Sequence, residues 1–304
     1  MLRYTAGRLG QAAASLLVIA TLVFVLVRLT GDPTTLLVPE YAPAGAQEVL
    51  RRQLGLDQPL YVQYWQFIGG LLVLDLGTSF GGASVADQLL TYLPATAALA
   101  LVAILGAALV AVPLGVLSAV YPGSLVDKAA RLLAMLGQSV PVFWLAIMLI
   151  LFFSVRLGWL PVAGQAGPSS YVLPAIAVGW PAAAGIVRLT RSSMLDVLGA
   201  DYVRMARAKG LSSGVVVAKH ALRNALIPVI TFSSLLLGTF MNGSVVVETI
   251  FAWPGVGRMA FESVTVRDFP MVQGAVLMFA AFFILLNLVV DLVYVAVDPR
   301  IRYR

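Results

Sequence analysis

Six stretches of this chain run apolar for roughly the 20 residues a helix needs to cross about 30 Å of hydrocarbon. They cover residues 9–29, 94–120, 132–155, 171–187, 225–247 and 269–290, and the only charge in any of them is Arg28, near the end of the first. A long side chain at that place reaches the headgroups while its stem stays in lipid. A backbone in lipid must satisfy its own polar groups, and apolar runs of this length do so as helices. A soluble domain could not absorb them: 60% of the 304 residues are hydrophobic, 11% are charged, and the mean hydropathy is +0.94. The sequence therefore specifies an all-α membrane protein with six transmembrane helices in one domain, 1–304. Its longest connection, an external segment over 30–93, leaves no room for a separate catalytic domain of ordinary size. The first run is too long for a signal peptide, and no small-residue cleavage site follows "FVLVRLTGDP", so it is expected to be retained.

Orientation follows from the basic residues, which stay on the cytoplasmic side of span ends. With both termini inside, that side collects Arg3, Arg8, Lys128, Arg131, Arg188, Arg191, Arg204, Arg207, Lys209, Lys219, Arg223, Arg300, Arg302 and Arg304, fourteen of the twenty Lys and Arg. Arg28, Arg51, Arg52, Arg156, Arg258 and Arg267 face out with most of the acidic residues. The expected chain crosses a membrane several times, with N- and C-termini cytoplasmic.

The cytoplasmic loop over 188–224 holds "DYVRMARAKGLSSGVVVAKHALRN", which includes the chain's only histidine. Asp201 suits the start of a short helix, Arg207 and Lys209 its last turn, and Gly210 a left-handed closing residue. Ser212 or Ser213 can cap a second helix, along which Val215, Ala218 and Leu222 recur at helical spacing while Lys219, Arg223 and Asn224 lie elsewhere around the turn. The bland reading is that any inner loop is basic. Two helices closed by a glycine instead describe a rigid protrusion on which a partner docks.

At these residues the chain resembles the permeases of ABC importers. Their cytoplasmic loop reads Glu-Ala-Ala, three residues, Gly, nine residues, Ile-x-Leu-Pro. Gly210 occupies the glycine, Arg204, Met205 and Ala206 fall on Glu-Ala-Ala, and His220 to Arg223 fall on Ile-x-Leu-Pro, so that Ala206, Gly210 and Leu222 match. The departures resemble one branch, the dipeptide/oligopeptide/nickel permeases, as do "LGLDQPLYVQYWQFIGGLLVLDLGTSF", "SVPVFWLAIMLILFFSVRLGWLPVAG", "LTRSSMLDVL", "VVVETIFAWPGVGRMAFESV" and "DPRIRY", over essentially the whole length. The resemblance implies the ABC-importer permease fold with cytoplasmic coupling helices. Arg204, Ala206, Arg207, Lys209, Gly210, Leu211, Ser212, His220 and Leu222 would form the loop that seats on an ATPase. It also implies as partners a second permease subunit, two ATPase subunits that carry the ATP and Mg sites, and an extracytoplasmic binding protein. Di- or oligopeptides would be the substrate, with nickel chelates, glutathione or haem as alternatives in the branch. This subunit itself would hold no cofactor, no metal and no catalytic residue, and would bind no nucleic acid.

The residues agree with that division of labour. Lys128, Lys209 and Lys219 are the only lysines, none lies in a phosphate-binding loop, and one histidine cannot make an HExxH zinc site. An ion-coupled secondary transporter is the alternative class. Such carriers place ionisable groups within spans, whereas Glu248 and Asp291 sit at span ends. Asn287 and Asp291 share a helix face, which suits interhelical hydrogen bonding or a polar pathway. Pro113 and Pro141 interrupt spans and, with Trp144, Asn242 and Asn287, are pathway candidates. Pro94, Pro174 and Pro228 are read as span starts. Outside, 46–54 and 59–73 are read as helices, the second lying along the membrane surface through Tyr61, Tyr64, Trp65 and Phe67. In the loop 249–266 the Pro-Gly pair forces a turn that exposes Trp253 and Arg258; the resemblance implies that these outer segments meet the binding protein, the alternative being that they only cover the pore mouth.

Overall fold

The structure is a computed structural model. It describes the backbone of residues 2–29, 31–32, 34–38, 43 and 45–297, and the side chains of these except 2–6, 36–37, 241–243 and 289–297. Apart from one isolated bridge, Thr78 to Ser84, the regular structure among them is helical. In chain order the principal helices are α1 (Leu2–Leu29), α2 (Ala46–Gln53), α3 (Leu60–Leu72), α4 (Val85–Val120), α5 (Leu125–Ser139), α6 (Val142–Leu149, continued by a π turn Ile150–Arg156), α7 (Val172–Leu198), α8 (Asp201–Ala208), α9 (Ser213–Val215, a π turn Val216–Ala221, then Leu222–Ile250), α10 (Val256–Thr265) and α11 (Phe269–Val297).

Five of these are long and apolar enough to cross a membrane. They become six if α5 and α6, bent by 107° at the break between them, count as one broken span. The run over 132–155 is therefore not one straight helix. Pro141 is responsible: it lacks the N–H that would continue α5, and the residue before it is forced out of the helical region, Val140 lying at φ −83 and ψ 120. Elsewhere the helices outrun the charge-free stretches. α4 begins at Val85, where Ser84 accepts from the Asp87 N–H at 3.3 Å, so Pro94 lies inside the helix and does not start it. Pro228 likewise lies inside α9, which starts at Ser213.

Packing is carried by small residues. α4 and α7 cross along Ala100, Ala103, Ala107, Ala111, Ala177 and Ala182, all buried in the main core. A Cβ on Gly179 would lie 2.9 Å from the Ala103 carbonyl oxygen, and one on Gly115 would lie 2.7 Å from the Thr190 Cβ. In lipid, apolar area alone does not draw helices together, so close backbone approach and dispersion must, and alanine and glycine permit it. α9 and α6 complete the core with Val229, Phe240, Val247 and Ala146. α1 lies outside it against α11.

Candidate functional site

At one end of the bundle α7 runs through Arg188 and Arg191 to Leu198, so most of the basic loop is helix and the true connection shrinks to residues around α8. The close of α8 is a Schellman turn: the Gly210 N–H donates to Arg207 O at 2.9 Å, the Leu211 N–H to Ala206 O at 3.4 Å, and Gly210 takes φ +83. The chain then enters α9 directly. The second short helix expected after Ser212 is the first part of this long helix and does not stand alone. Ser212 occupies its N-cap position without a side-chain hydrogen bond.

α8 is held from beneath. Val203, Ala206 and Val216 are buried together and pack with Val197 and Leu198. Asn224 Nδ2 donates to the Tyr202 hydroxyl at 2.8 Å and to His220 O at 3.3 Å, tying α8 to α9. The nine loop residues singled out in the sequence thus divide by role. Arg204, Arg207, Lys209, Gly210, Leu211 and Ser212 are exposed; Ala206 is buried in the seat; His220 and Leu222 are half-buried on α9. Sequence reasoning passed over Tyr202 and Met205, 44% and 61% exposed, which together with Leu211 set apolar surface among the cations. Such a face suits a partner that offers a groove with acidic edges.

Above α8 lies a cluster that the sequence did not announce. Asp127 is 1% exposed and lies between the second and third charge-free stretches. Its Oδ1 accepts from Arg191 Nε at 2.8 Å and from the Ser118 hydroxyl at 2.7 Å; its Oδ2 accepts from the Gly123 N–H at 2.9 Å and from Arg131 Nη2 at 3.0 Å. The Arg191 guanidinium first, then the Ser118 and Gly123 donors, hold this carboxyl well below the usual carboxylate range. One side chain so joins the ends of α4, α5 and α7. The available signal was a lone acid amid cytoplasmic arginines. Beside it an open groove between α5 and α7 is edged by Arg131, Gln138 and Arg188, with Arg188 Nη1 donating to Gln138 Oε1 at 3.2 Å.

At the opposite end the turn after α9 is inserted, not displayed. Trp253 is fully buried, its indole N–H donating to Ala95 O at 3.0 Å and its ring edge-on to Tyr171 at 4.6 Å. This overturns the expectation that Trp253 is exposed. The cause is α4, which extends upward past Pro94 and offers Ala95 O and the Thr96 hydroxyl, the latter accepting from the Val256 N–H at 2.9 Å. Glu248, fully buried, accepts from the Ser244 hydroxyl at 2.9 Å and the Arg258 N–H at 3.0 Å, and leaves no room for a Cβ on Gly255. Arg258 stays at the surface, paired with Glu262 at 2.7 Å.

The pathway candidates do not converge. Pro113 and Pro141 are exposed, Trp144 is 49% exposed, Asn287 is half-buried, and no hydrogen bond or packed cluster among the described residues joins them; the Asn242 and Asp291 side chains lie outside the described residues. No group of three or more His, Cys, Asp or Glu gathers among the described residues as a metal site.

The sequence profile described as "Binding-protein-dependent transport system inner membrane component" matches residues 111–303, and a companion profile for the N-terminal part of such components matches residues 1–100. The chain is 44% identical over 306 residues to the glutathione transport system permease protein GsiC of Salmonella choleraesuis (strain SC-B67) and 42% identical to that of Escherichia coli (strain K12), in each case over 100% of both chains. Among solved structures it is similar to the inward-facing MetNI methionine ABC transporter, with a TM-score of 0.57 and 20% identity over 69% of this chain and 96% of that one. It is also similar to an amino acid ABC transporter, with a TM-score of 0.51 and 16% identity over 70% and 94%.

Proposed function

Because the chain belongs to the family of binding-protein-dependent transport system inner membrane components, we propose that it forms one membrane half of an importer that carries small peptides inward, glutathione first among them. The chain is the permease subunit of an ABC importer, a multi-pass inner-membrane protein and not itself an ATPase. The finer reading rests on one observation, the full-length 44% identity to proteins named as glutathione permeases. Glutathione is itself a tripeptide, so the di- and oligopeptides expected from the sequence belong to the same chemical class.

In this reading two ATPase subunits hold ATP and Mg and dock on the exposed face of α8, with Arg204, Arg207, Lys209, Met205 and Leu211 as contacts. A second permease completes the pathway, and a binding protein delivers substrate at the Arg258 end. The termini and α8 are cytoplasmic in this reading, which the bias of basic residues toward those segments supports. ATP draws the ATPases together and displaces α8; the shift is powered by the different affinity of ATP for the two states. Since α8 is packed on α7 and α9, and Arg191 binds Asp127, the displacement is carried into α4 and α5 without slack.

The test is uptake by the reconstituted complex. Glutathione should enter in an ATP-dependent way and compete with short peptides for entry. ATP-dependent uptake of nickel chelates or haem with no effect of glutathione would reassign the substrate. Uptake driven by an ion gradient without ATP would assign a secondary carrier.

A further inference from the structure

The end of α5 lies level with the turn of α7 that precedes Arg188: Gly137 packs against Ala184, and a Cβ on it would lie 3.2 Å from Trp180 O. Arg188 reaches back to this level. Its Nη1 donates to Gln138 Oε1 at 3.2 Å, so the guanidinium is drawn toward the start of α7 and into the span. Gln138 stands seven residues beyond Arg131, the last charge on α5, which sets it about 10 Å farther along the helix. A long cation at the end of a span ordinarily bends the other way, out to the headgroups. One held within the charge-free depth faces protein or a water-filled cavity and not lipid. Arg188 and Gln138 are both exposed on this subunit, and both line the open groove between α5 and α7. That pairing marks the groove, and with it this face of the bundle, as turned to an aqueous pathway.

The groove has a volume of about 580 Å3, in the range that takes a small ligand. Its floor is apolar, with Ala130, Ala134 and Val187, and its charges are ordered along α7. Arg191 and Arg131 are both committed to Asp127, at 2.8 and 3.0 Å. Arg188 forms no ion pair among the described residues, its partner Gln138 being neutral. Asp196, which also lines the groove and is exposed, forms none either. A free cation thus lies at the deep end and a free anion at the mouth beside α8, eight residues apart on one helix, or about 12 Å. Because Gln138 turns its oxygen to Arg188, its amide nitrogen is left to donate alongside the guanidinium.

We infer, on the reading of this chain as one half of a small-peptide importer, that the groove holds the peptide as a zwitterion on its way to the cytoplasm, with its terminal carboxylate on Arg188 and Gln138 and its ammonium group toward Asp196. Charge and length name the occupant. A guanidinium with an amide beside it offers a carboxylate several donors at once, and the lone acid offers an ammonium its counter-charge. An extended tripeptide, at about 3.5 Å per residue, sets its terminal charges about 10 Å apart, which matches the spacing of the two free charges. A peptide capped at both ends finds neither contact. Arg188, Gln138 and Asp196 are then specificity-determining residues for the last stage of import.

The chain has no cysteine, so Ser192→Cys, at an exposed position on the groove wall, places a single thiol there. In the nucleotide-free complex, with any partner cysteines replaced, its reaction with a water-soluble maleimide should slow several-fold in millimolar S-methylglutathione or trialanine, neither of which carries a thiol. Trialanine acetylated and amidated at its ends should not protect. Arg188→Gln should raise the concentration for half-protection about tenfold, and Arg188→Lys should recover part of the loss. Asp196→Asn, at an exposed position, should raise it as well and covers the case in which Arg188→Gln fails to fold. Equal protection by the capped peptide, or protection that neither Arg188→Gln nor Asp196→Asn alters, would overturn the site. So would a thiol that does not react without peptide, because a second permease or lipid then covers the groove. Import by the unsubstituted complex separates this inference from the reading beneath it. ATP-driven import without protection removes the groove alone, whereas failure to import glutathione and trialanine removes the importer reading with it.

Discussion

Gly210 offers a way to separate backbone conformation from charge and from packing at the turn that closes α8. Its φ is +83, and a Cβ built on it meets nothing within 4 Å. Substitution there is therefore not a steric problem with neighbours, and the cost lies in the left-handed backbone alone. That cost is about 1–2 kcal/mol for a residue with a Cβ, highest for a branched one and small for asparagine. Gly210→Asn should behave nearly as the native chain, Gly210→Ala should lose about 1 kcal/mol, and Gly210→Val about 2 kcal/mol, some thirtyfold in the population of the closed turn. Reopening the turn frees the Arg207 and Ala206 carbonyls and misdirects the exposed face of α8 relative to α9. Uptake, ATP hydrolysis and ATPase retention on the purified permease pair should fall in the order Asn, Ala, Val, while insertion and pairing persist. Lys219→Gln, which removes a charge on α9 without touching the turn, should be mild. Equal damage from Lys219→Gln and Gly210→Val would refute the turn as the coupling element, and equal damage from Asn and Val would show that conformation is not what Gly210 supplies.

Asp127→Asn keeps a group of the same shape but removes the charge opposite Arg191, whose side chain is 27% exposed; a loss of about 2 kcal/mol is expected, read as a lower melting temperature and hydrolysis no longer stimulated by substrate. Arg131→Gln removes the partner that is 57% exposed and should cost less than about 1 kcal/mol by the same melting measurement. Trp253→Ala empties a fully buried site and should destabilise by roughly 3–5 kcal/mol, whereas Trp253→Phe, which loses the bond to Ala95 O, should cost about 1–2 kcal/mol. Gly179→Val drives a side chain against the Ala103 backbone and should lower the yield of folded subunit, with a penalty of about 1–3 kcal/mol.

The spans were legible because charge is excluded from lipid, and so was the close of α8, because glycine followed by a change of pattern is a local signal. Helix ends were less so. Pro94 and Pro228 are good first-turn residues, yet α4 and α9 run through them, since a helix set by residues before the proline can continue past one missing hydrogen bond. Pro141 has the same composition signal and does break its helix. Trp253 and Asp127 could not be placed from the sequence for a common reason. Each is defined by a partner far along the chain, Ala95 for one and Arg191 for the other, and no local pattern records such a pairing.

In the proposed mechanism, a force applied to the eight residues of α8 has to move helices of several times that length. A hinge there would dissipate the displacement, so the short helix is fixed by buried Val203, Ala206 and Val216 to α7 and α9, and α7 is fixed to α4 and α5 through Asp127. A buried carboxylate is a demanding way to join helices, since its desolvation must be met by several donors at once. Asp127 has four, drawn from four separate residues, and any relative sliding of α4, α5 and α7 would strip at least one of them away. The cluster therefore resists shear more than a greasy contact would, because apolar side chains can slide past one another at little cost while aligned charged bonds cannot. If so, Asp127→Leu, Arg191→Leu made together should preserve more thermal stability than Asp127→Leu alone while still losing the coupling of hydrolysis to substrate. A double variant that restored both would mean that the ion pair holds the helices together but does not transmit their motion.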